Sequence, residues 1–289
     1  MQMRLSFLTA LGLVAACSSD PGTSPDAAVT LADATATFPD AAATFPDAAP
    51  ANPDAAMGDP DAGGANTCAS TAVPCVDESI LALDFKQGVN PRMVTTTATT
   101  GGFISAIDAT AGAQPPNIPA SQGYVYARFT EQGLERVSVG DWDSVESTDW
   151  DIAFRRFVVR INSGVSGPSC VGALRTPALS TFDSVTAIPA GAPALETYMD
   201  PNDTCALVAD PGRLNSPIVA LDSYWGYRSC VEMTGNIFVL VLADGRAVKL
   251  QVLSYYNPAV QAVCDRNGAL PMNTPSGAAN MRVKWAFLP

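Results

Sequence analysis

Alternating apolar and polar residues dominate the second half of the chain and predict β-structure. Residues 124–129 alternate up to a turn at Gln132-Gly133, and residues 134–139 follow, which predicts a first hairpin. Residues 150–161 are rich in aromatic and β-branched side chains and end at Asn162-Ser163-Gly164. This stretch predicts one long strand.

A second hairpin is predicted closer to the C-terminus. Residues 237–242 and 247–256 flank Asp244-Gly245, a pair that favours a two-residue primed turn. Residues 281–287 alternate strictly and predict a half-buried strand that closes a sheet. Residues 78–86 are the best helical candidate.

The spacing of these strands and turns predicts an all-β, antiparallel single domain with long loops. The longest loops are expected at residues 162–173 and 200–216. Long irregular loops on a rigid sheet are common positions for bound ligands. We therefore expect function to lie in these loops.

The first 17 residues have the layout of an export signal instead. An apolar stretch follows Arg4 and is too short to span a bilayer. It ends in Val-Ala-Ala-Cys17, which resembles a lipobox, so we expect cleavage before Cys17 and lipid attachment to its side chain. Ser18 and Ser19 in place of an aspartate indicate transfer to the outer membrane, on its periplasmic or cell-surface face. An ordinary signal peptide with an incidental cysteine is the alternative.

Residues 18–67 consist largely of Ala, Asp, Pro and Thr and predict a disordered tether. Pro-Asp-Ala recurs every seven residues from Pro39 to Ala62. Because a proline in each period excludes a continuous helix, this spacing does not indicate a coiled coil. The remaining residues, 68–289, are enough for one sizeable domain.

Charge is concentrated in the tether. The chain has a net charge of −12, but eight of its aspartates precede Cys68. Residues 68–289 carry 15 basic and 20 acidic side chains, a net charge of −5. This balance argues against nucleic acid as a partner, because a nucleic-acid surface needs a basic patch.

Six cysteines remain after Cys17 is assigned to lipid, and in an exported protein an even number predicts disulfides. Six cysteines allow about fifteen pairings. Sequence proximity alone favours three pairs: Cys68 with Cys75, Cys170 with Cys205, and Cys230 with Cys264. None forms a Cys-x-x-Cys pair and the chain has no histidine, so a structural zinc site is not expected.

The absence of histidine also removes several enzyme mechanisms. Ser-His-Asp and Cys-His hydrolases lose their base, and oxidised cysteines are poor nucleophiles. Acidic pairs occur at Asp141 with Asp143 and at Asp200 with Asp203, but they fit no complete calcium or glycosidase template. Solvated loops or turn caps are the alternative interpretation. The sequence therefore predicts no catalytic residues and no enzyme activity.

A series of motifs extends from about residue 103 to residue 289. In order, these are Ile-Ser-Ala-Ile-Asp-Ala-Thr at 104–110, Asp-Trp-Asp-Ile-Ala-Phe-Arg-Arg at 149–156, Arg-Ile-Asn-Ser-Gly at 160–164, Gly-Ala at 172–173, Phe-Asp-Ser-Val at 182–185, the 243–251 hairpin, Ser-Tyr-Tyr at 254–256 and the closing strand. Together they resemble the HmuY-like family of haem-binding lipoproteins. The resemblance implies an all-β fold whose loops bind a haem and a protein that passes it to an outer-membrane receptor.

The resemblance also implies two axial ligands to the haem iron, and no other metal is expected. Known members use paired histidines or paired methionines, and only methionine or tyrosinate is left here. Met199 is the first ligand candidate and Met233 the second, whereas Met281 is expected in the core. The haem-contact candidates are Tyr198, Tyr224, Trp225 and Tyr227, with Arg155 and Arg156 as partners of the propionates. Gap-filling methionines and solvent-facing arginines are the alternatives.

The sequence leaves three alternative hypotheses for the function. The first is an outer-membrane-tethered, haem-binding lipoprotein that captures haem and passes it to a membrane receptor. The second is a family member that has lost haem and binds another small ligand or a protein partner, which the absence of histidine favours. The third, a carboxylate-based hydrolase, requires two acidic side chains that converge in one cleft.

Overall fold

The computed structural model describes residues 70–112 and 120–289. The predicted signal peptide with Cys17, the predicted tether and Cys68 lie outside the described residues. No helix in the described ranges is long and apolar enough to cross a membrane.

Strands form most of the regular structure in the described part of the chain, which makes the fold all-β as predicted. In chain order they are β1 (Val94–Thr99), β2 (Gly102–Asp108), β3 (Val125–Thr130), β4 (Gly133–Val137), β5 (Ile152–Arg155), β6 (Val158–Ile161), β7 (Gly172–Arg175), β8 (Met199–Asp200), β9 (Ala206–Leu207), β10 (Ala209–Asp210), β11 (Ser216–Pro217), β12 (Trp225–Tyr227), β13 (Val231–Met233), β14 (Ile237–Val241), β15 (Ala247–Ser254) and β16 (Asn280–Phe287). The helices are α1 (Val76–Ala82) and α2 (Pro258–Asn267).

A six-stranded antiparallel sheet runs in the order β1-β2-β16-β15-β14-β7. Val248, Leu250 and Val252 of β15 are buried together, as the alternation along this strand requires. Strand β16 is half-buried, as predicted. It lies inside the sheet, between β2 and β15, rather than closing it at an edge.

The predicted hairpin of β14 and β15 is confirmed, but its turn is longer than predicted. The Leu242 N–H donates to the carbonyl of Arg246 at 2.8 Å, and the Gly245 N–H donates to the carbonyl of Leu242 at 3.0 Å. Gly245 has a φ of 84°, which glycine adopts without steric cost. The predicted two-residue turn is therefore wrong, because the chain forms a three-residue loop that ends in a left-handed glycine.

A four-stranded sheet runs in the order β4-β3-β5-β6. Strands β3 and β4 form the first predicted hairpin. The single long strand predicted over residues 150–161 is wrong, because β5 and β6 pair with each other as a hairpin. The chain reverses at Arg156-Phe157, where Arg156 has a φ of 54° and donates its N–H to the carbonyl of Ala109 at 2.7 Å. No glycine or proline marks this turn in the sequence.

The four-stranded sheet is buried on both faces. One face packs with the six-stranded sheet in the apolar cluster, which includes Val125, Ala127, Phe129, Ile152, Phe154, Val159, Ile161, Tyr224, Trp225, Phe238, Leu240, Val248, Leu250, Val252, Tyr255, Tyr256, Met281, Val283 and Trp285. The other face forms the arginine–tyrosine cluster, which contains Leu83, Phe85, Tyr124, Tyr126, Val139, Val145, Trp150, Ala153, Val158, Val165, Tyr198, Met199 and Val219, with Arg160 at its centre. Strand alternation explains the division, since successive side chains of β3, β5 and β6 point to opposite faces.

The two helices differ from the sequence prediction. Helix α1 ends at Ala82, four residues before the predicted end, because Asp84 takes a left-handed φ of 51° and Phe85 turns inward. Helix α2 was not predicted. It begins with Pro258 in its first turn and ends at Asn267, and Gly268 with a φ of 69° caps it; both residues are standard signals of helix ends.

Disulfides join distant parts of the chain. Cys230 bonds to Cys264, as predicted, and Cys75 bonds to Cys205 across 130 residues. Cys170 is disulfide-bonded as well. The predicted pairs Cys68–Cys75 and Cys170–Cys205 are therefore wrong, because the fold brings Cys75 and Cys205 to a Cα–Cα distance of 5.5 Å.

Candidate functional site

The β5–β6 hairpin stands between two groups of candidate site residues. Phe157, at its tip, packs against both the apolar cluster and the arginine–tyrosine cluster. Tyr198 and Met199 lie on the arginine–tyrosine side, whereas Tyr224 and Trp225 lie on the apolar side. The structure therefore places the predicted ligand-contact residues in two separate buried groups.

Arg160 is the centre of the arginine–tyrosine cluster and is fully buried. Its guanidinium donates to the hydroxyls of Tyr126 at 2.7 Å, Ser166 at 2.9 Å and Tyr198 at 3.1 Å. Burial raises the pKa of the Tyr126 and Tyr198 hydroxyls above the ordinary value. Both phenols therefore stay protonated, a state that does not suit a tyrosinate ligand.

Aromatic rings surround the same guanidinium. Its central carbon lies 4.1 Å from the ring centre of Tyr124 and 4.7 Å from that of Phe85. The rings of Trp150 and Tyr126 are slightly farther away, at 5.7 Å and 5.8 Å. Cation–π contacts of this kind stabilise a desolvated cation.

Asp141 supplies the negative charge of the cluster and is fully buried. It accepts hydrogen bonds from the Tyr124 N–H at 2.7 Å, the Lys86 N–H at 2.9 Å and the Tyr126 hydroxyl at 2.9 Å. The Tyr126 hydroxyl thus links the Arg160 guanidinium to the Asp141 carboxylate. A buried cation and a buried acid are thus connected through one phenol, while the Arg160 Nε–H has no hydrogen-bond partner among the described residues.

Glu196 is a second buried acid beside β6. Its two carboxylate oxygens accept the N–H groups of Ile161 at 2.8 Å and Ala220 at 2.9 Å. Burial raises the pKa of Glu196 to about 7, although both N–H donors oppose the rise. Glu196 therefore titrates near neutral pH while it holds the segment that leads to Tyr198 and Met199.

Met199, the first ligand candidate, is fully buried among these residues. It lies on β8, which pairs with β9 through Met199 and Leu207. The neighbouring Tyr198 hydroxyl donates to the carbonyl of Val165 at 3.2 Å. Met199 can reach a bound ligand only if part of the cluster opens.

Met233, the second ligand candidate, lies on the short ribbon of β12 and β13. It is half-buried and stands directly opposite Trp225. Tyr227, two residues after Trp225, is 39% exposed on the same face of the ribbon. Trp225 itself is buried against Phe157, with ring centres 4.9 Å apart. The structure thus brings Met233, Trp225 and Tyr227 together, apart from Met199.

The candidate propionate partners are engaged within the chain. Arg155 donates to the carbonyl oxygens of Leu83 and Asp84, and its guanidinium lies 4.4 Å from the Tyr124 ring centre. Arg156, at the hairpin turn, lies beside Tyr255. Burial raises the pKa of the Tyr255 hydroxyl to about 12, and the Arg156 charge opposes that rise.

The first residues of the two acidic pairs seen in the sequence have different roles. Asp141 belongs to the arginine–tyrosine cluster, and Asp200 accepts the N–H of Asn202 at 2.9 Å as a turn cap. Among residues 70–112 and 120–289, no group of three His, Cys, Asp or Glu side chains could hold a metal ion.

Sequence reasoning did not identify Arg160, Asp141 and Glu196 as a buried polar group. Arg160 did carry a signal, because it lies between Val159 and Ile161 in a strand without the usual polar alternation. A charged residue in such a strand is buried only when partners satisfy it. The partners come from distant segments, so no local pattern reveals them.

A surface pocket of about 800 Å³ lies at the β14–β15 turn and the end of β16. Phe287, Leu288 and Ile188 form its apolar wall, and Arg246 and Glu131 are its charged residues. None of the predicted haem-contact residues lines it.

A family model described as HmuY protein matches residues 120–264, half of the chain. The match spans strands β3 to β15 and most of α2. No curated protein matches the chain.

Solved structures are also similar to the chain. A protein of Bacteroides vulgatus ATCC 8482, described as HmuY-like and heme-binding, is 18% identical, with 71% of this chain and 99% of that chain covered and a TM-score of 0.40. A protein of Bacteroides fragilis NCTC 9343, described as a lipoprotein, is 14% identical, with coverage of 71% and 98% and a TM-score of 0.38. An apo HmuY analogue of Tannerella forsythia is 15% identical, with coverage of 70% and 98% and a TM-score of 0.34.

Proposed function

The chain belongs to the HmuY family, and from this membership we propose that it binds haem as an outer-membrane-tethered lipoprotein and passes it to a membrane receptor. The observation that carries the proposal is the family match over residues 120–264, which includes the β5–β6 hairpin, Met199 and Met233. The protein acts by binding rather than by catalysis. Its partners are haem, a receptor and the lipid bilayer that holds the Cys17 acyl chains.

Met233 and Met199 are the proposed candidates for an axial ligand, since a thioether is a ligand type that a chain without histidine still offers. They lie in separate groups, so each is proposed on its own side of the β5–β6 hairpin rather than as a pair on one iron atom. Met233 is half-buried and opposite Trp225, so it needs a small rearrangement to reach an iron atom. Tyr227 offers an exposed ring on the same face. Met199 is fully buried and needs a larger rearrangement.

Absorbance titration of the full chain with haemin, and then with reduced haem, tests this function. We expect a saturable Soret shift at one haem per chain. Met199→Leu and Met233→Leu keep side-chain volume, and the variant that removes the ligand should weaken binding about tenfold or more. Met272→Leu is the matched control, because Met272 is 89% exposed and should leave the titration unchanged.

A second candidate function is supported by the missing histidine and the burial of Met199. In this candidate the fold has lost haem and binds another small ligand or a protein partner. No saturable Soret shift in either oxidation state would favour it over haem binding. A shift that neither methionine variant changes would retain haem binding and overturn the proposed ligands.

A further inference from the structure

Residues 75–88, which we call the strap, cover the arginine–tyrosine cluster from one side. Leu83 and Phe85 are buried in that cluster, and Val76 and Ile80 pack against it. The Phe85 ring lies 6.1 Å from the Tyr124 ring and 4.7 Å from the Arg160 guanidinium carbon. The strap therefore supplies apolar contacts that close this side of the four-stranded sheet.

Few hydrogen bonds hold the strap on the cluster. Arg155 donates to the carbonyl oxygens of Leu83 and Asp84, and the Lys86 N–H donates to Asp141 at 2.9 Å. The Trp142 indole N–H donates to the carbonyl of Phe85 at 3.4 Å. Arg155 is thus a positioning residue that ties the strap to the hairpin beneath it.

The strap is a weak element by itself. Helix α1 has seven residues and no side-chain N-cap, and Leu81 is 80% exposed. Helices this short do not form without tertiary support. A short segment held by side-chain packing and a few hydrogen bonds opens locally at a lower free energy than the sheets do.

A covalent bond fastens the strap to the segment that carries Met199. Cys75 bonds to Cys205, in the turn that joins β8 to β9, and α1 contacts β9. Strand β9 pairs with β8, and Leu207 of β9 lies opposite Met199 of β8. The disulfide therefore fixes the strap and the Met199 segment against each other.

From these contacts we propose that the strap is an autoinhibitory cover, latched by Cys75–Cys205, that controls ligand access to Tyr198 and Met199. The control of haem access rests on the function proposed above, whereas the opening of the strap does not. Arg155 holds the closed strap rather than a propionate. Ligands reach Met199 when residues 80–87 lift away from Tyr124 and Arg160.

Oxidation of methionine by dilute hydrogen peroxide, followed by mass spectrometry of the full chain, tests the opening without haem. Met199 and Met281 are both fully buried, one under the strap and one in the apolar cluster. In the Cys75→Ser/Cys205→Ser variant, peroxide should oxidise Met199 at least about tenfold faster than in wild type, while Met281 stays protected. Arg155→Met should act in the same direction with the disulfide intact.

Cys230→Ser/Cys264→Ser is the matched control, because it removes a disulfide that does not touch the strap. If Met199 is oxidised equally fast in both disulfide variants, the latch is overturned. If the oxidation rates of Met199 and Met281 rise together in the latch variant, the whole fold opens rather than the strap. That result also overturns the proposal. Exposed Met272 reports the supply of peroxide in every sample.

Stopped-flow mixing with haemin tests the control of access. Association should be about tenfold or more faster in Cys75→Ser/Cys205→Ser, and Met199→Leu should remove that gain. Equal rates in wild type and in the latch variant, with haem bound by both, would overturn the control of access. Absence of haem binding in every variant would overturn the proposed function instead, while the oxidation result would still decide whether the strap opens.

Discussion

The two faces of the four-stranded sheet are equally buried but held by different chemistry. On one face Val125, Phe129 and Phe154 pack against the six-stranded sheet, where burial of apolar area supplies the stability. On the other face Tyr124 and Tyr126 surround a guanidinium whose hydrogen bonds must all be found within the protein. The first face should therefore tolerate a substitution by another apolar residue of similar size. The second face needs every buried polar group to keep its hydrogen-bond partner.

The two faces are also closed by different elements. The six-stranded sheet covers the apolar face with long strands such as β15 and β16. The strap and the segment with Tyr198 and Met199, which leads into the short strand β8, cover the arginine–tyrosine face. The arginine–tyrosine face, with its short covering segments, should therefore open locally at a lower free energy than the apolar face between the two sheets.

Replacing the buried cation should give the largest effect. Arg160→Met retains the side-chain length but leaves the Tyr126, Ser166 and Tyr198 hydroxyls without their charged donor. We expect the free energy of unfolding in urea to fall by about 3–5 kcal/mol. Leu250→Met is the matched swap on the apolar face and should cost less than about 1.5 kcal/mol. Equal costs for the two variants would contradict the distinction between the faces.

The apolar face was largely predictable from the sequence. Alternation over residues 124–129, 247–256 and 281–287 gave the correct strands and inward positions, because period-two patterns are local. The reversal at Arg156 was missed, since a non-glycine residue there takes a left-handed conformation that tertiary contacts impose.

The arginine–tyrosine face could not be predicted in the same way. Arg160 enters the sequence analysis only as the first residue of the motif at 160–164, and its partners Tyr126 and Tyr198 are 34 and 38 residues away in sequence. The Cys75–Cys205 disulfide spans 130 residues, so sequence proximity selected the wrong partners for Cys75 and Cys205, although it selected Cys230–Cys264 correctly. Polar contacts between distant segments leave no periodic pattern along the chain.

Protonation of Glu196 should make the stability of the arginine–tyrosine side depend on pH. Its pKa rises from an ordinary 4.5 to about 7 in the folded protein, so the folded state binds this proton more tightly than the unfolded state. Its stabilisation is complete below about pH 4.5 and is lost as the pH rises through 7. The loss is on the order of 3 kcal/mol.

Urea unfolding at several pH values between 4.5 and 8 measures this dependence. Glu196→Gln should flatten the slope above pH 6. Asp151→Asn is the comparison variant, because burial raises the pKa of Asp151 from 3.8 only to about 6. The stabilisation by protonated Asp151 is therefore lost at a lower pH than that by Glu196. A wild-type profile that rises between pH 6 and 8 would contradict a raised pKa at Glu196.

The smallest predicted effect compares one hydroxyl on each face. The Tyr198 hydroxyl accepts a hydrogen bond from the charged Arg160, whereas the Tyr224 hydroxyl donates to the neutral carbonyl of Phe157 at 2.7 Å. Because hydrogen bonds to charged groups contribute more, Tyr198→Phe should cost about 1.5–3 kcal/mol and Tyr224→Phe about 0.5–1.5 kcal/mol in urea unfolding. Both rings are fully buried, so each substitution removes one buried hydroxyl oxygen. Tyr198→Phe also removes the hydrogen bond from the Tyr198 hydroxyl to the carbonyl of Val165 at 3.2 Å. If Tyr224→Phe cost as much as Tyr198→Phe, the charge of Arg160 would add nothing to the hydroxyl bond, and the faces would differ in composition but not in energetics.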